Sequence, residues 1–140
     1  MKEERQIKVG LGVMIFKGGK VLMGERKGAH GSGEYAFPGG HLEFGESILS
    51  AAKREVKEEV GIEIQNINLL YCANLVKYGK HYAQFGLIAD WKSGEVQNKE
   101  KDRCSDWNWY PVTKLPKPFF GTVPWYLEAY ETGKNFFDSK

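Results

Sequence analysis

The chain reads as an α/β (α+β) sandwich, a mixed β-sheet held between helices. Two observations predict it. Strand-like runs recur along the sequence, and two helical segments with an apolar side must each bury that side on a sheet face. A third sets the scale: 140 residues with 41% hydrophobic and 27% charged content fit one globular domain, 1–140, with a real apolar core.

From Ile7 to Phe16 the run IKVGLGVMIF is rich in β-formers, and after the Lys17-Gly18-Gly19-Lys20 turn VLMGER follows, which together predict a hairpin. Residues 27–34, KGAHGSGE, hold three glycines and predict a loop leading into a short strand, Tyr35 to Phe37. Pro38-Gly39-Gly40 then breaks regular structure. Ser47 serves as an N-cap, no glycine or proline interrupts the segment from there to Val60, and Gly61 stops it, so a helix is expected over this span. INLLYCANLVKY (67–78) and HYAQFGLIADW (81–91) are strand-like around a Gly79-Lys80 turn. A polar loop at 93–105 precedes the strand DWNWYPV (106–112), and a last helix runs from Thr122 through Tyr130. The tail after Gly133 (133–140) is expected to be loosely held.

Charge excludes some functions. The net charge is +2, and 20 basic and 18 acidic residues are interspersed, so the footprint of a duplex nucleic-acid binder is missing while a small anionic ligand remains open. The opening Met1-Lys2-Glu3-Glu4-Arg5-Gln6 lacks the apolar core of a signal peptide, and no apolar run approaches membrane-spanning length; a cytosolic protein without a membrane partner is expected. Cys72 and Cys104 have no CxxC spacing and no neighbouring histidine pair, and read as free thiols.

At ~100° per residue, Ile48, Leu49, Ala52, Val56 and Val60 gather on one side of the first helix and Lys53 and Lys57 fall nearly opposite. Glu55, Glu58 and Glu59 stand at i, i+3 and i+4 and share one edge of the apolar stripe, close enough to repel, so something positive should sit there. Three carboxylates at that spacing suit a hard cation such as Mg²⁺, which keeps several waters and completes its shell with phosphate oxygens. An isolated ExxEE on a helix is more often a solvated face.

The surroundings reverse that reading. Gly40, Glu46, Arg54, Glu55, Val56, Glu58, Glu59, Gly61 and Ile62 satisfy the pattern G-x5-E-x7-R-E-U-x-E-E-x-G-U, U being aliphatic, at every position from 40 to 62. On this box the chain resembles the Nudix hydrolase family, and the flanking PGGHLEFGES resembles a branch of its MutT-like subgroup that hydrolyses nucleoside triphosphates. The resemblance implies a Nudix-type α/β/α sandwich and an enzyme using Mg²⁺ (Mn²⁺ possible) and activated water. The implied substrate is a nucleoside triphosphate, either a modified purine such as 8-oxo-dGTP or dCTP/CTP, cleaved to the monophosphate and pyrophosphate. Another nucleoside diphosphate-X, a prenyl or other organic diphosphate, and a non-catalytic nucleotide-binding module are the alternatives.

By the same resemblance Glu55, Glu58 and Glu59 hold metal, with the Gly39 carbonyl as a further ligand. Glu58, or else Glu55, accepts the proton of the attacking water. Glu46 and Arg54 pair and brace the loop against the helix, and Gly39 and Gly40 let the backbone turn tightly and approach the metal. Asp102, or Glu100, supplies an auxiliary ligand. Arg26 and Lys27 are placed to meet phosphates, and Gly40 to lie against the substrate. A base slot needs a stacking aromatic, for which Tyr35, Phe37, Tyr82, Phe85, Phe119 and Phe120 are candidates. Tyr78 falls where dinucleoside-polyphosphate hydrolases carry a tyrosine, although packing explains it as well. Relatives are often homodimers, which leaves a homodimer open here.

Overall fold

The computed structural model describes residues 5–28, 31–77 and 79–139. Tyr78, the first four residues of the charged opening, Ala29 and His30 of the glycine-rich loop, and Lys140 of the tail lie outside them. The elements run β1 (Lys8–Lys17), β2 (Lys20–Arg26), β3 (Tyr35–Ala36), β4 (Gly39–His41), α1 (Ile48–Val60), β5 (Glu63–Lys77), β6 (Lys80–Ser93), β7 (Cys104–Pro111), α2 (Val123–Thr132) and β8 (Phe136–Asp138). They form one mixed sheet in the order β3-β2-β1-β6-β5-β8, with β4 also on β1 and β7 also on β2.

Strand β1 organises the sheet. It pairs in parallel with β6 from Lys8↔Tyr82 to Phe16↔Asp90. Its other edge is shared: β2 joins at Phe16 and Lys17, and β4 at Gly10 to Gly12. Because side chains alternate, Leu11, Val13 and Ile15 bury into a core with Ala52, Val56 and Val60 of α1, while Met14 enters a second core with Val123, Tyr126 and Ala129 of α2. A strand buried on both faces reads as a near-continuous apolar run. That is why IKVGLGVMIF shows so little alternation.

Helix α1 begins and ends where its caps dictate. The Ser47 hydroxyl accepts from Ser50 N at 3.1 Å, and Gly61, at φ 77°, takes the left-handed conformation that closes the last turn. Its buried face consists of Ala51, Ala52, Glu55, Val56, Glu59 and Val60. Leu49, expected on that face, is 52% exposed. Two of the clustered glutamates take their place on the inner face instead.

Three expectations are corrected. Pro38-Gly39-Gly40 does not leave the sheet, since β4 pairs with β1 through Gly12↔Gly39 and Leu11↔Gly40. The pairing needs a bare backbone, because a Cβ on Gly39 would stand 2.4 Å from the Leu11 carbonyl oxygen. Neither glycine has positive φ, so close approach and not a tight turn is what selects them. Strand β5 starts at Glu63, earlier than its apolar pattern, through irregularities that put Asn66 at φ 55°. The tail is not loose: β8 pairs in parallel with β5, and Phe137 is 5% exposed, stacked on Trp125 at 5.6 Å and edge-on to Tyr71 at 5.5 Å.

Among the described residues no helix is long and apolar enough to cross a membrane, and both cysteines are free thiols. Phe137→Ala is expected to destabilise the protein by about 3 kcal/mol, read from a denaturant titration. A change below about 0.5 kcal/mol would restore the loose tail.

Candidate active site

The end of β1, strand β4 and helix α1 meet at the glutamates. Glu59 is 6% exposed and its Oε1 accepts from the Gly39 N–H at 3.1 Å, which ties the helix to β4. Burial pushes this carboxyl up to about 8 against the opposing pull of that hydrogen bond. Glu55 is also buried, with its acidity weakened first by burial and partly restored by Arg54. A Cβ on Gly40 would lie 2.0 Å from Glu55 Oε2, so any other residue there would have to displace that carboxylate.

Arg54 supplies the positive charge the cluster demands. Its Nε and Nη2 grip the two oxygens of Glu46 in a fork, and Nη2 also donates to the His41 carbonyl at 3.0 Å. Nη1 donates to Glu55 Oε1 at 2.7 Å and to Glu58 Oε1 at 3.2 Å. Glu46 in turn accepts from Glu43 N at 3.0 Å, which pins the loop. The hydrogen bond from Arg54 holds Glu46 below the usual carboxylate range. Glu46 and Arg54 thus stand together across loop and helix, and Glu58, half exposed, lies at the outer end of the cluster.

Among the described residues no three His, Cys, Asp or Glu side chains converge as a preformed metal cluster. The donor set nevertheless suits a hard divalent cation. Glu59 is a buried carboxylate compensated by one backbone N–H, and Glu55 and Glu58 share a single guanidinium with Glu46. A cation beside them would relieve the cost of burying the charge on Glu59.

A cavity of 360 Å³ opens beside Glu59. Its wall includes the expected Arg26, Phe37, Gly39, Gly40 and Asp102; Glu55 and Glu58 stand outside the lining. Lys27, Lys80 and Arg103 share the wall with Arg26 and make it cationic. The field is felt by His41, whose ring stacks on Tyr82 at 5.5 Å and whose basicity is lowered by burial, then by Lys8, Arg103 and Lys80. Glu100 lies apart from the lining, its Oε1 3.4 Å from Arg103 Nη1.

Tyr35 and Phe119 are not part of the wall. They form a bridge of their own, and Tyr35 packs edge-on to Tyr110 at 6.3 Å. The next residue, Phe120, lines the cavity instead, and the Arg26 guanidinium covers its ring at 4.1 Å. Gln84, Thr122, Tyr126, Gly10 and Gly12, which no motif in the sequence names, also line the cavity. Gln84 carries a signal, a polar residue inside the stretch Tyr82 to Ala89, where all other residues are apolar or glycine. So do Gly10 and Gly12, since glycine within a strand marks a close approach. Cys104 also lines the cavity, where burial and then the charge of Glu59 push its thiol up to about 12, an inert state.

The model of the NUDIX domain family matches residues 6–131. The NAD-capped RNA hydrolase NudC of Pseudomonas aeruginosa (strain LESB58) is 33% identical over 104 residues, 74% of this chain and 36% of that protein. The 8-oxo-dGDP phosphatase NUDT18 of Mus musculus is 33% identical over 113 residues, 79% of this chain and 34% of that protein. The chain therefore spans about a third of the length of the curated relatives it matches. Among solved structures, the MutT NUDIX hydrolase from Burkholderia pseudomallei superposes with a TM-score of 0.84 at 31% identity, covering 89% of this chain and 98% of that one.

The fork of Arg54 is directly testable. Arg54→Ala is expected to cost about 2 kcal/mol of unfolding free energy, and Arg54→Lys, which keeps the charge and loses the planar fork, to recover only part of it. Full recovery by lysine would show that charge alone matters.

Proposed function

The chain belongs to the NUDIX domain family, and from that premise we propose that it is a divalent-metal-dependent pyrophosphohydrolase. Its substrate on this reading is a nucleoside triphosphate, a modified purine such as 8-oxo-dGTP or dCTP/CTP, cleaved to the monophosphate and pyrophosphate. One observation carries the reading: a single cavity joins the buried carboxylate of Glu59 to a wall of Arg26, Lys27, Lys80 and Arg103. Acid for a metal and base for phosphates meet there.

Glu55, Glu58 and Glu59 would hold the ion, Mg²⁺ with Mn²⁺ as a substitute, and the Gly39 carbonyl and Asp102 are the further ligands on this reading. Such an ion neutralises the diphosphate and acidifies a neighbouring water. Arg26 and its cationic neighbours orient the phosphate chain, with Gly40 leaving the backbone bare beside it. Glu58, the most exposed of the three, accepts the proton of the attacking water at a carboxylate oxygen, with Glu55 as the other claimant. Arg54 and Glu46 position these carboxylates without touching substrate. On this reading Phe37, Tyr82 and Phe120, which line the cavity, are the candidates to stack on a base. The same reading makes the protein a cytosolic enzyme of small molecules; a homodimer rests on analogy with relatives.

A second reading, hydrolysis of another nucleoside diphosphate-X, draws support from the relatives, whose names include an NAD-capped RNA hydrolase and an 8-oxo-dGDP phosphatase. Purified protein with Mg²⁺ should be offered nucleoside triphosphates, nucleoside diphosphates, NAD and prenyl diphosphates in parallel. The first reading predicts that a triphosphate is cleaved with the highest kcat/KM, and fails if none exceeds the other classes.

Two further outcomes are expected. A chelator abolishes turnover and Mg²⁺ or Mn²⁺ restores it, whereas undiminished turnover in chelator would remove the metal from the reaction. Glu58→Gln lowers kcat by roughly 10²–10⁴-fold, and a variant with full turnover would exclude Glu58 as the base.

A further inference from the structure

Gly10 and Gly12 bring bare backbone into the cavity lining. Gly10 and Gly12 of β1 and Gly86 of β6 lie on the α2 side of the sheet, and Gln84, Tyr126 and Tyr71 fill the space they leave. A Cβ on Gly10 would stand 2.4 Å from Gln84 Oε1, one on Gly12 2.2 Å from Tyr126 Oη, and one on Gly86 2.0 Å from the Tyr71 ring. Gln84 and Tyr126 line the cavity together with Gly10, Gly12, Phe37 and Phe120. Within the described lining Gln84 alone carries a side-chain amide.

On this face of the sheet the phenols of Tyr126 and Tyr71 stand beside the amide, in the spaces over Gly12 and Gly86. The fit is incomplete: the Tyr71 hydroxyl is buried and has no partner at full hydrogen-bonding geometry. Oε1 is the amide atom that stands over the bare backbone of Gly10 in the cavity lining. An acceptor at the end of an aromatic-walled cavity selects a donor. A base carrying a carbonyl where its partner carries an amino group would set two acceptors against each other and leave both unsatisfied.

We propose that Gln84 is a specificity-determining residue of this site, its Oε1 accepting a hydrogen bond from the exocyclic amino group of a nucleobase. This rests on the nucleoside triphosphate reading above. It adds the feature of the base that is recognised.

The test uses triphosphate pairs that differ by an amino group against a carbonyl: CTP with UTP, ATP with ITP, GTP with XTP. The wild type should prefer the amino member of its best pair by roughly 10- to 100-fold in kcat/KM. Gln84→Leu should bring that ratio close to one, chiefly through KM, and Gln84→Glu, which keeps acceptors, should preserve it. Gly10→Ala, by pushing the amide aside, should act as the leucine does. Ratios within one preparation cancel any loss of folded protein. A Gln84→Leu ratio within about twofold of wild type, or a wild type that cleaves triphosphates with no amino preference in any pair, overturns the inference and leaves the hydrolase reading intact. A wild type that cleaves no triphosphate at all overturns both.

Discussion

Burial of β1 on both faces is the constraint from which the remaining architecture follows. A strand in that position must satisfy two cores at once, so Leu11, Val13 and Ile15 answer to α1 and Met14 to α2. It must also pair along both edges, which β6 does on one side and β4 with β2 on the other. Sharing that second edge lets β4 bring Gly39 and Gly40 against helix α1. The glutamates of the helix and the bare backbone of the loop meet because one strand holds both in register.

Within that frame the carboxylates of a single helix live in different electrostatic surroundings. Glu55 and Glu58 share the Arg54 guanidinium with Glu46, whereas Glu59 faces inward, accepts from the Gly39 N–H and feels Arg103 only through its field. Helical spacing places them a few ångströms apart, yet a guanidinium hydrogen-bonds to two of them and not to the third. That third, buried group is the one that opens onto the cavity.

Much of the fold was legible because local chemistry agreed with the global arrangement. The Gly18-Gly19 turn, the Ser47 and Gly61 caps and the apolar runs each name their element without help from distant residues. Legibility failed where a partner far along the chain decides. β4 forms because glycine can approach Leu11 closely, and β8 because Phe137 finds Trp125 and Tyr71; neither reason is visible in three local residues. In the candidate site the box residues could be named from spacing, and Glu46 with Arg54 does stand as a pair. The cavity wall could not. Whether Phe119 or Phe120 lines it turns on the lone bridge between Phe119 and Tyr35, far apart in sequence, and Gln84 and Tyr126 meet only after β6 and α2 have packed.

Where the cavity meets β1, hydrogen atoms stand where side chains would otherwise be, at Gly10 and Gly12, and Gln84 and Tyr126 take up the room they leave. A pocket made this way is already at its widest at those positions. Any single substitution there fills space, so change at these glycines runs in one direction, toward smaller or differently shaped occupants. Enlargement has to come from the walls, where Phe37, Phe120 and Tyr126 still have atoms to lose. A lineage adapting this site to bulkier molecules would therefore be expected to alter its aromatics and leave its glycines alone.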